Sequence, residues 1–389
     1  MSPNGKATLL IAGDYHVYGR YDSYLRSNPD HKVFDQDLCG FVRSYPVSIF
    51  NLEDPITDAR IGCVKWGPYG VGSEVALDQI EELGFGFATF ATNHTYDMKN
   101  QGIKDTIDLC TKHGIKIFGA GLDPESARKP LRIEHEEIKI SILNFSRCEF
   151  NCSTYSHGGA NPLDMIDNCR DIIAEKQHSD YVLVIIHDGV DTFSLPYPLL
   201  KKQMRFFADM GADAIILHHS QRVSGYEVYQ GKPIFYGIGN LLHWTDTCED
   251  HEGLLVELTF AKGETSDFTL HAVEFDPQKV IVKLVSESRF SEILDRVHIS
   301  SEIIEDDNLL VSRWESHLDR KSASYISAVE FKHPILATVV RKLGLQQFYL
   351  GFLLLSKKRL LRLLNLLRCE AHRQAILNIL NRAYLESDR

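Results

Sequence analysis

The chain has 389 residues, 44% of them hydrophobic and 24% charged, which is the make-up of a soluble globular protein large enough for two domains. Its 42 Lys+Arg against 53 Asp+Glu leave a net charge of −11, which counts against a general nucleic-acid binder relying on a basic face. No stretch reaches the ~18–20 apolar residues of a membrane span, and the opening "MSPNGKATLLIAGDYH" carries an apolar run too short for a signal peptide.

From the start to about residue 260, short apolar runs alternate with amphipathic segments. Strands are expected at 7–12, 47–50, 87–91, 115–118, 138–143, 181–186, 213–217 and 233–236. Their successive positions are apolar, as in strands buried on both faces. Helices are expected at 74–83, 101–113, 163–177 and 198–210; in the first, Ala76, Ile80 and Leu83 share a face and Gly84 comes next as a C-cap. This alternation predicts an α/β layered domain over 1–285. After about residue 290 glycine nearly vanishes and charge-rich helix formers take over, so 286–389 reads as a helical appendage. Its last stretch, 341–389, carries ten Lys/Arg and three Asp/Glu. Two readings of that basic stretch stand open: a helical hairpin packed on the domain or a partner, or an amphipathic helix on a membrane surface.

The eight cysteines are scattered, with no CxxC pair; Cys148 and Cys152 are the nearest two. Reduced, structural thiols in a cytoplasmic protein are the expectation.

The residues at the carboxyl ends of the predicted strands carry the chemistry. After 7–12 come Asp14 and His16; after 47–50, Asn51 and Glu53; after 87–91, Asn93 and His94; after 181–186, His187; after 213–217, His218, His219 and Gln221. A lone histidine is more often structural than a ligand, and an aspartate after a strand is often a turn residue. Imidazole, carboxylate and amide oxygens recurring at five strand ends, where open α/β sheets bind ligands, point instead to a metal pocket. These donors suit Mn, Fe or Zn and, without cysteine among them, not a thiolate zinc site. Their number exceeds the needs of one ion, so two divalent ions bridged by a carboxylate are expected.

The motifs "GDYHVYGR", "NLEDPIT", "ATNHTYD", "GIKIFGAGLDPESARKP", "VIIHDGVD", "GADAIILHHSQRV" and "YEVYQGKPIFYGIGN", in uninterrupted order over roughly 7–260, together resemble the CapA family of capsule and poly-γ-glutamate biosynthesis proteins. That family is similar to the calcineurin-like metallophosphatases. The resemblance implies a layered α/β/β/α sandwich with a C-terminal helical appendage. It implies Asp14 and His16 as ligands of a first metal, Glu53 as the bridge, and Asn93, His187 and His219 as ligands of a second. His94 would be the acid or oxyanion stabiliser, with Asp97 or Asp191 orienting a histidine. Gln221 departs from the pattern, standing where the family carries a histidine for the first metal. The family's HWG-x-E also reads His187-Asp188-Gly189-Val190-Asp191 here.

Two functions are therefore expected in competition. One is a metal-dependent hydrolase of phosphoester, amide or ester bonds in capsule or poly-γ-glutamate metabolism. The other is a non-catalytic polymer-binding or scaffold subunit of a capsule synthesis complex, favoured by Gln221, the altered HWG-like motif and the basic tail. Either implies a cell-envelope polymer or small phosphoester/amide substrate, capsule-synthesis partner proteins, no nucleic acid, and a cytoplasmic location with peripheral contact at the inner membrane face through 341–389.

Overall fold

A computed structural model describes residues 5–65, 67–190, 193–245 and 251–329, with side chains to 321. All eight expected strands and all four expected helices form, with ends shifted by a few residues. Two mixed sheets stack face to face. The first runs in space Ile281–Leu284, Asp267–Asp276, Glu252–Ala261, Lys6–Tyr15, Val47–Leu52, Phe87–Thr89 and Lys116–Phe118, with the short strand Asn240–Leu242 also paired to Lys6–Tyr15. The second runs Tyr226–Tyr229, Lys232–Phe235, Ala214–His218, Tyr181–His187, Ile138–Ser146 and Leu131–His135.

The strands read as unbroken apolar runs because each face of each sheet is covered. In Lys6–Tyr15, Ala7, Leu9 and Ile11 point to the core between the sheets, whereas Leu10 and Ala12 point to the helices Gln36–Arg43 and Val75–Leu83. In Tyr181–His187, Leu183 and Ile185 face the same inter-sheet core, while Val182, Val184 and Ile186 face the helices Met165–Lys176 and Pro198–Asp209. Helices, sheet, sheet, helices is the α/β/β/α order expected of the sequence. Gly84 ends its helix in the left-handed region (φ 101°), its N–H bonded to the Ile80 carbonyl. Ile185 is fully buried in the inter-sheet core. Ile185→Ala is expected to destabilise the fold by about 2–5 kcal/mol, read as a lowered denaturant midpoint with unchanged slope.

Two expectations need correction. The helical region begins where read, with the Ser286 side chain accepting from the Arg289 N–H, but its first helix, Glu287–Glu305, is not an appendage. Ile293 and Val297 enter the inter-sheet core, so the first compact unit extends through Ser312 and the second comprises Arg313–Arg389. The basic stretch 341–389 lies outside the described residues. Cys148 and Cys152 form a disulfide, Cα–Cα 5.4 Å, rather than two free thiols. The turn between them is folded back by Asn151, whose amide donates to the Thr92 carbonyl and the Ser146 hydroxyl and whose oxygen accepts from the Glu149 N–H. Cys39, Cys63, Cys110 and Cys169 are free and buried, as expected. Among the described residues no helix is long and apolar enough to cross a membrane.

Candidate metal centre

The parallel pairing sets the strand ends level. Asp14 lies opposite Asn51, Asn51 opposite Thr89, and His187 opposite His218. Side chains distant in sequence, from both sheets, therefore converge on one pocket. Two clusters of metal-ligating atoms result, each with its atoms within 4.8 Å of one another: Asp14, His16 and Glu53, and Glu53, His187 and His219. Glu53 belongs to both.

In the second cluster His187 Nε2 is 2.9 Å from Asn93 Oδ1, 3.2 Å from Glu53 Oε1 and 3.2 Å from His219 Nδ1. One ring nitrogen cannot satisfy three such neighbours with a single proton, whereas a shared cation satisfies all four. His219 is placed there by a left-handed backbone (φ 92°), with its N–H on Asp14 Oδ2 at 3.1 Å. In the first cluster His16 Nδ1 lies 3.4 Å from Asp54 Oδ2, within ion-pair range, and that oxygen accepts a hydrogen bond from the Val17 N–H at 2.9 Å. A carboxylate behind one imidazole nitrogen turns the other toward the ion. Asn51 braces the centre, donating to Asp14 Oδ1 at 2.9 Å while its own oxygen accepts from the Thr89 hydroxyl at 2.8 Å.

The electrostatics of these groups fit a divalent cation. Asp14, Glu53 and Asp54 are 0%, 1% and 0% exposed. Burying three neighbouring carboxylates is unfavourable unless cations compensate. Burial, together with the charges of Asp14 and Asp54, drives the Glu53 carboxyl well above its ordinary range despite opposing help from His16 and His94. Burial also disfavours ionisation of Asp14, but His218, His187 and His16 outweigh it and hold its pKa low. Burial and the neighbouring imidazoles His218, His94 and His16 push His187 down to about 3 despite Asp14, so it is a neutral imidazole, the form that ligates. His16 is desolvated too, yet Glu53, Asp54 and Asp14 raise it. Both ring nitrogens of His16, of His218 and of His243, and one oxygen of Asp54, are buried without a hydrogen-bond partner. Orphaned polar atoms at this density are what a metal-binding pocket leaves when only protein atoms are counted.

His94 stands apart from the ligands. Its Nδ1 is 2.7 Å from Asp97 Oδ2, and Asp97 also accepts from the Gly70 N–H at 2.7 Å and pairs with the buried Lys65 ammonium. Burial resists charging of His94, but the Asp97 hydrogen bond and the charges of Asp54, Asp97 and Glu53 raise it to about 9. It therefore holds a proton at neutral pH, with Nδ1 fixed and Nε2 left to donate.

Over residues 8–244 the sequence matches the model of a protein family described as bacterial capsule synthesis protein PGA_cap. The chain belongs to this family. Among curated members it is 28% identical over 201 residues to the PGA biosynthesis protein CapA of Bacillus subtilis (strain 168), covering 50% of this chain and 52% of that one. It is 27% identical over 185 residues to the capsule biosynthesis protein CapA of Bacillus anthracis, covering 45% and 44%. The chain thus spans about half the length of the curated relatives it matches. Among solved structures, a hypothetical protein from Thermus thermophilus superposes with TM-score 0.45 and 14% identity over 69% of this chain and 99% of that one.

Of the expected residues, Asp14, His16, Glu53, Asn93, His187 and His219 meet in the pocket, and His94 and Asp97 form a pair beside it. Asp191 lies outside the described residues. Gln221 has a left-handed backbone (φ 56°), and its carbonyl accepts from Asn240 Nδ2 at 3.0 Å. His218 sets Nδ1 3.1 Å from Asp14 Oδ1, bracing the carboxylate. Asp188 does not serve the pocket; its carboxylate is held by Arg147 and by the Tyr197 hydroxyl. Sequence reading placed Asn51 at the pocket without its bracing role, and missed Asp54, Lys65 and the buried His243 altogether. Asn51 and Asp54 flank Glu53 within one motif and were legible as polar breaks at an apolar strand end. Lys65 and His243 lie in segments without such a signal.

Proposed function

We propose that this protein is a metal-dependent hydrolase of the CapA type, cleaving a phosphoester, amide or ester bond in capsule or poly-γ-glutamate biosynthesis. The observation that carries this reading is Glu53 standing in both ligand clusters, the arrangement of a carboxylate between two ions. A pair of Mn, Fe or Zn ions, held by Asp14, His16 and Glu53 on one side and Glu53, Asn93, His187 and His219 on the other, would supply Lewis acidity and an activated water. Asn51 and His218 keep Asp14 oriented, and Asp54 keeps His16 oriented. His94, its proton retained by Asp97, donates to the departing oxygen or nitrogen. The names of the relatives support a role in PGA or capsule biosynthesis; the polymer or a fragment of it as substrate, and other synthesis proteins as partners, belong to this proposal.

A cytoplasmic location rests on the expectation of reduced thiols, on the short apolar run at the start and on the lack of a membrane-spanning stretch; the Cys148–Cys152 bond weakens the first of these grounds. The scaffold reading draws support from Gln221 and from the altered motif His187-Asp188-Gly189-Val190-Asp191; the basic tail that also favours it lies outside the described residues. The two are separated by assaying the purified protein on phosphomonoesters, phosphodiesters and γ-glutamyl amides. Turnover that disappears on chelation and returns with Mn²⁺ is expected. Bound polymer with no turnover on any of these, at full metal content, would favour the scaffold.

A further inference from the structure

His243 is a buried imidazole that the proposed chemistry does not use. It is 6% exposed, and neither ring nitrogen has a hydrogen-bond partner. Leaving both polar atoms of a buried ring unsatisfied is costly and calls for a ligand. Its position is set by the backbone. The strand Asn240–Leu242 pairs in parallel with Lys6–Tyr15, Asp14 opposite Asn240 and Tyr15 opposite Leu242, and the His16 N–H bonds to the Leu242 carbonyl at 2.9 Å. Immediately beyond the paired Tyr15 and Leu242 each strand carries a histidine. His16 and His243 consequently leave adjacent strands side by side, ring centroids 4.1 Å apart and planes inclined by 31°.

His16 belongs to the first cluster, with Asp14 and Glu53; this is the cluster for which the resemblance implies a histidine at position 221, where the chain carries Gln221. We infer that His243 supplies the nitrogen ligand to the first divalent ion that position 221 does not, giving that ion Asp14, His16, Glu53 and His243. The inference rests on the two-metal reading above. The missing imidazole is replaced from a different strand, and Gln221 is left to shape the loop through its carbonyl bond to Asn240. A second imidazole beside that of His16 suits the first site to a transition ion.

Equilibrium dialysis of the chelator-stripped protein against Mn²⁺, with metal counted by mass spectrometry, tests this without reference to activity. The key variant is His243→Phe, which keeps a ring against His16 and removes both nitrogens. Wild type is expected to bind two ions and His243→Phe one, the first ion weakened by at least the ~10–100-fold that loss of even an outer partner causes. Gln221→Ala should still bind two. The double variant His243→Phe/Gln221→His should recover the second ion, and that recovery also shows that the fold is intact. Two ions at wild-type affinity in His243→Phe, or loss of an ion in Gln221→Ala alone, would overturn the assignment while leaving the two-metal reading standing. A wild type that binds no ion would overturn both.

Discussion

Glu53→Gln is expected to reduce bound metal from two ions per chain to one or none and to lower turnover by at least ~100-fold, the upper end of what the loss of an outer partner already causes. The substitution keeps shape and volume and removes only the charge. The backbone bonds that fix the segment, from the Glu53 N–H to the Tyr15 carbonyl and from the Thr92 hydroxyl to the Glu53 carbonyl, do not involve the carboxylate. The fold should therefore persist. Its metal-free stability should hold or rise, because burial and the neighbouring Asp14 and Asp54 already oppose a carboxylate at this position. The wild type should melt at higher temperature when Mn²⁺ is added, since a ligand that binds only the native state stabilises it. The variant should lose that increment. Thermal melts with and without metal check both halves, and an undiminished metal-induced shift in Glu53→Gln would remove Glu53 from the bridge.

Gly13→Ala is expected to destabilise the protein by about 3 kcal/mol or more, the upper end of what overpacking against atoms that cannot relax costs. A Cβ at position 13 would lie 2.1 Å from the Gly239 carbonyl oxygen and 2.8 Å from its carbon. Neither is the end of a flexible side chain. The strands Lys6–Tyr15 and Asn240–Leu242 would have to separate where the Asp14 N–H reaches the Gly239 carbonyl at 3.2 Å. That separation would also displace Asp14 and His16, so metal affinity should fall together with stability. Gly86→Ala is the matched control: nothing lies within 4 Å of its added Cβ, and a change within about 0.5 kcal/mol is expected. Urea unfolding of both variants in chelator separates the two cases; equal midpoints would mean that the close approach at Gly13 is not tight.

The core of the fold was legible because strands such as Tyr181–His187 are buried at every position, and their apolar runs are tolerated only in a sheet covered on both faces. The pocket was legible for a related reason: when apolar runs stop at Asp14, Glu53, Asn93, His187 and His219, the polar residue at each stop must go to the sheet edge. His243 escaped notice because its strand, Asn240–Leu242, is three residues long and gains its meaning from a parallel pairing with a strand more than two hundred residues earlier. No local pattern encodes that register. The helix Glu287–Glu305 was misassigned because its surface is charge-rich and only Ile293, Val297, Ser301 and Ile304 are buried, too sparse a stripe to announce a core helix. The Cys148–Cys152 bond went unread because a spacing of four does not show whether the chain turns back between the two, as it does here with Asn151 bonded to the distant Thr92 carbonyl.

Two metal ions sharing Glu53 is the claim on which the hydrolase reading and the role of His243 both stand. Crystals grown with Mn²⁺ and measured at the manganese absorption edge test it most directly. The expected anomalous map has two peaks about 3.5–4 Å apart, with the Glu53 carboxylate between them. A single peak, or two peaks separated from Glu53, would contradict it.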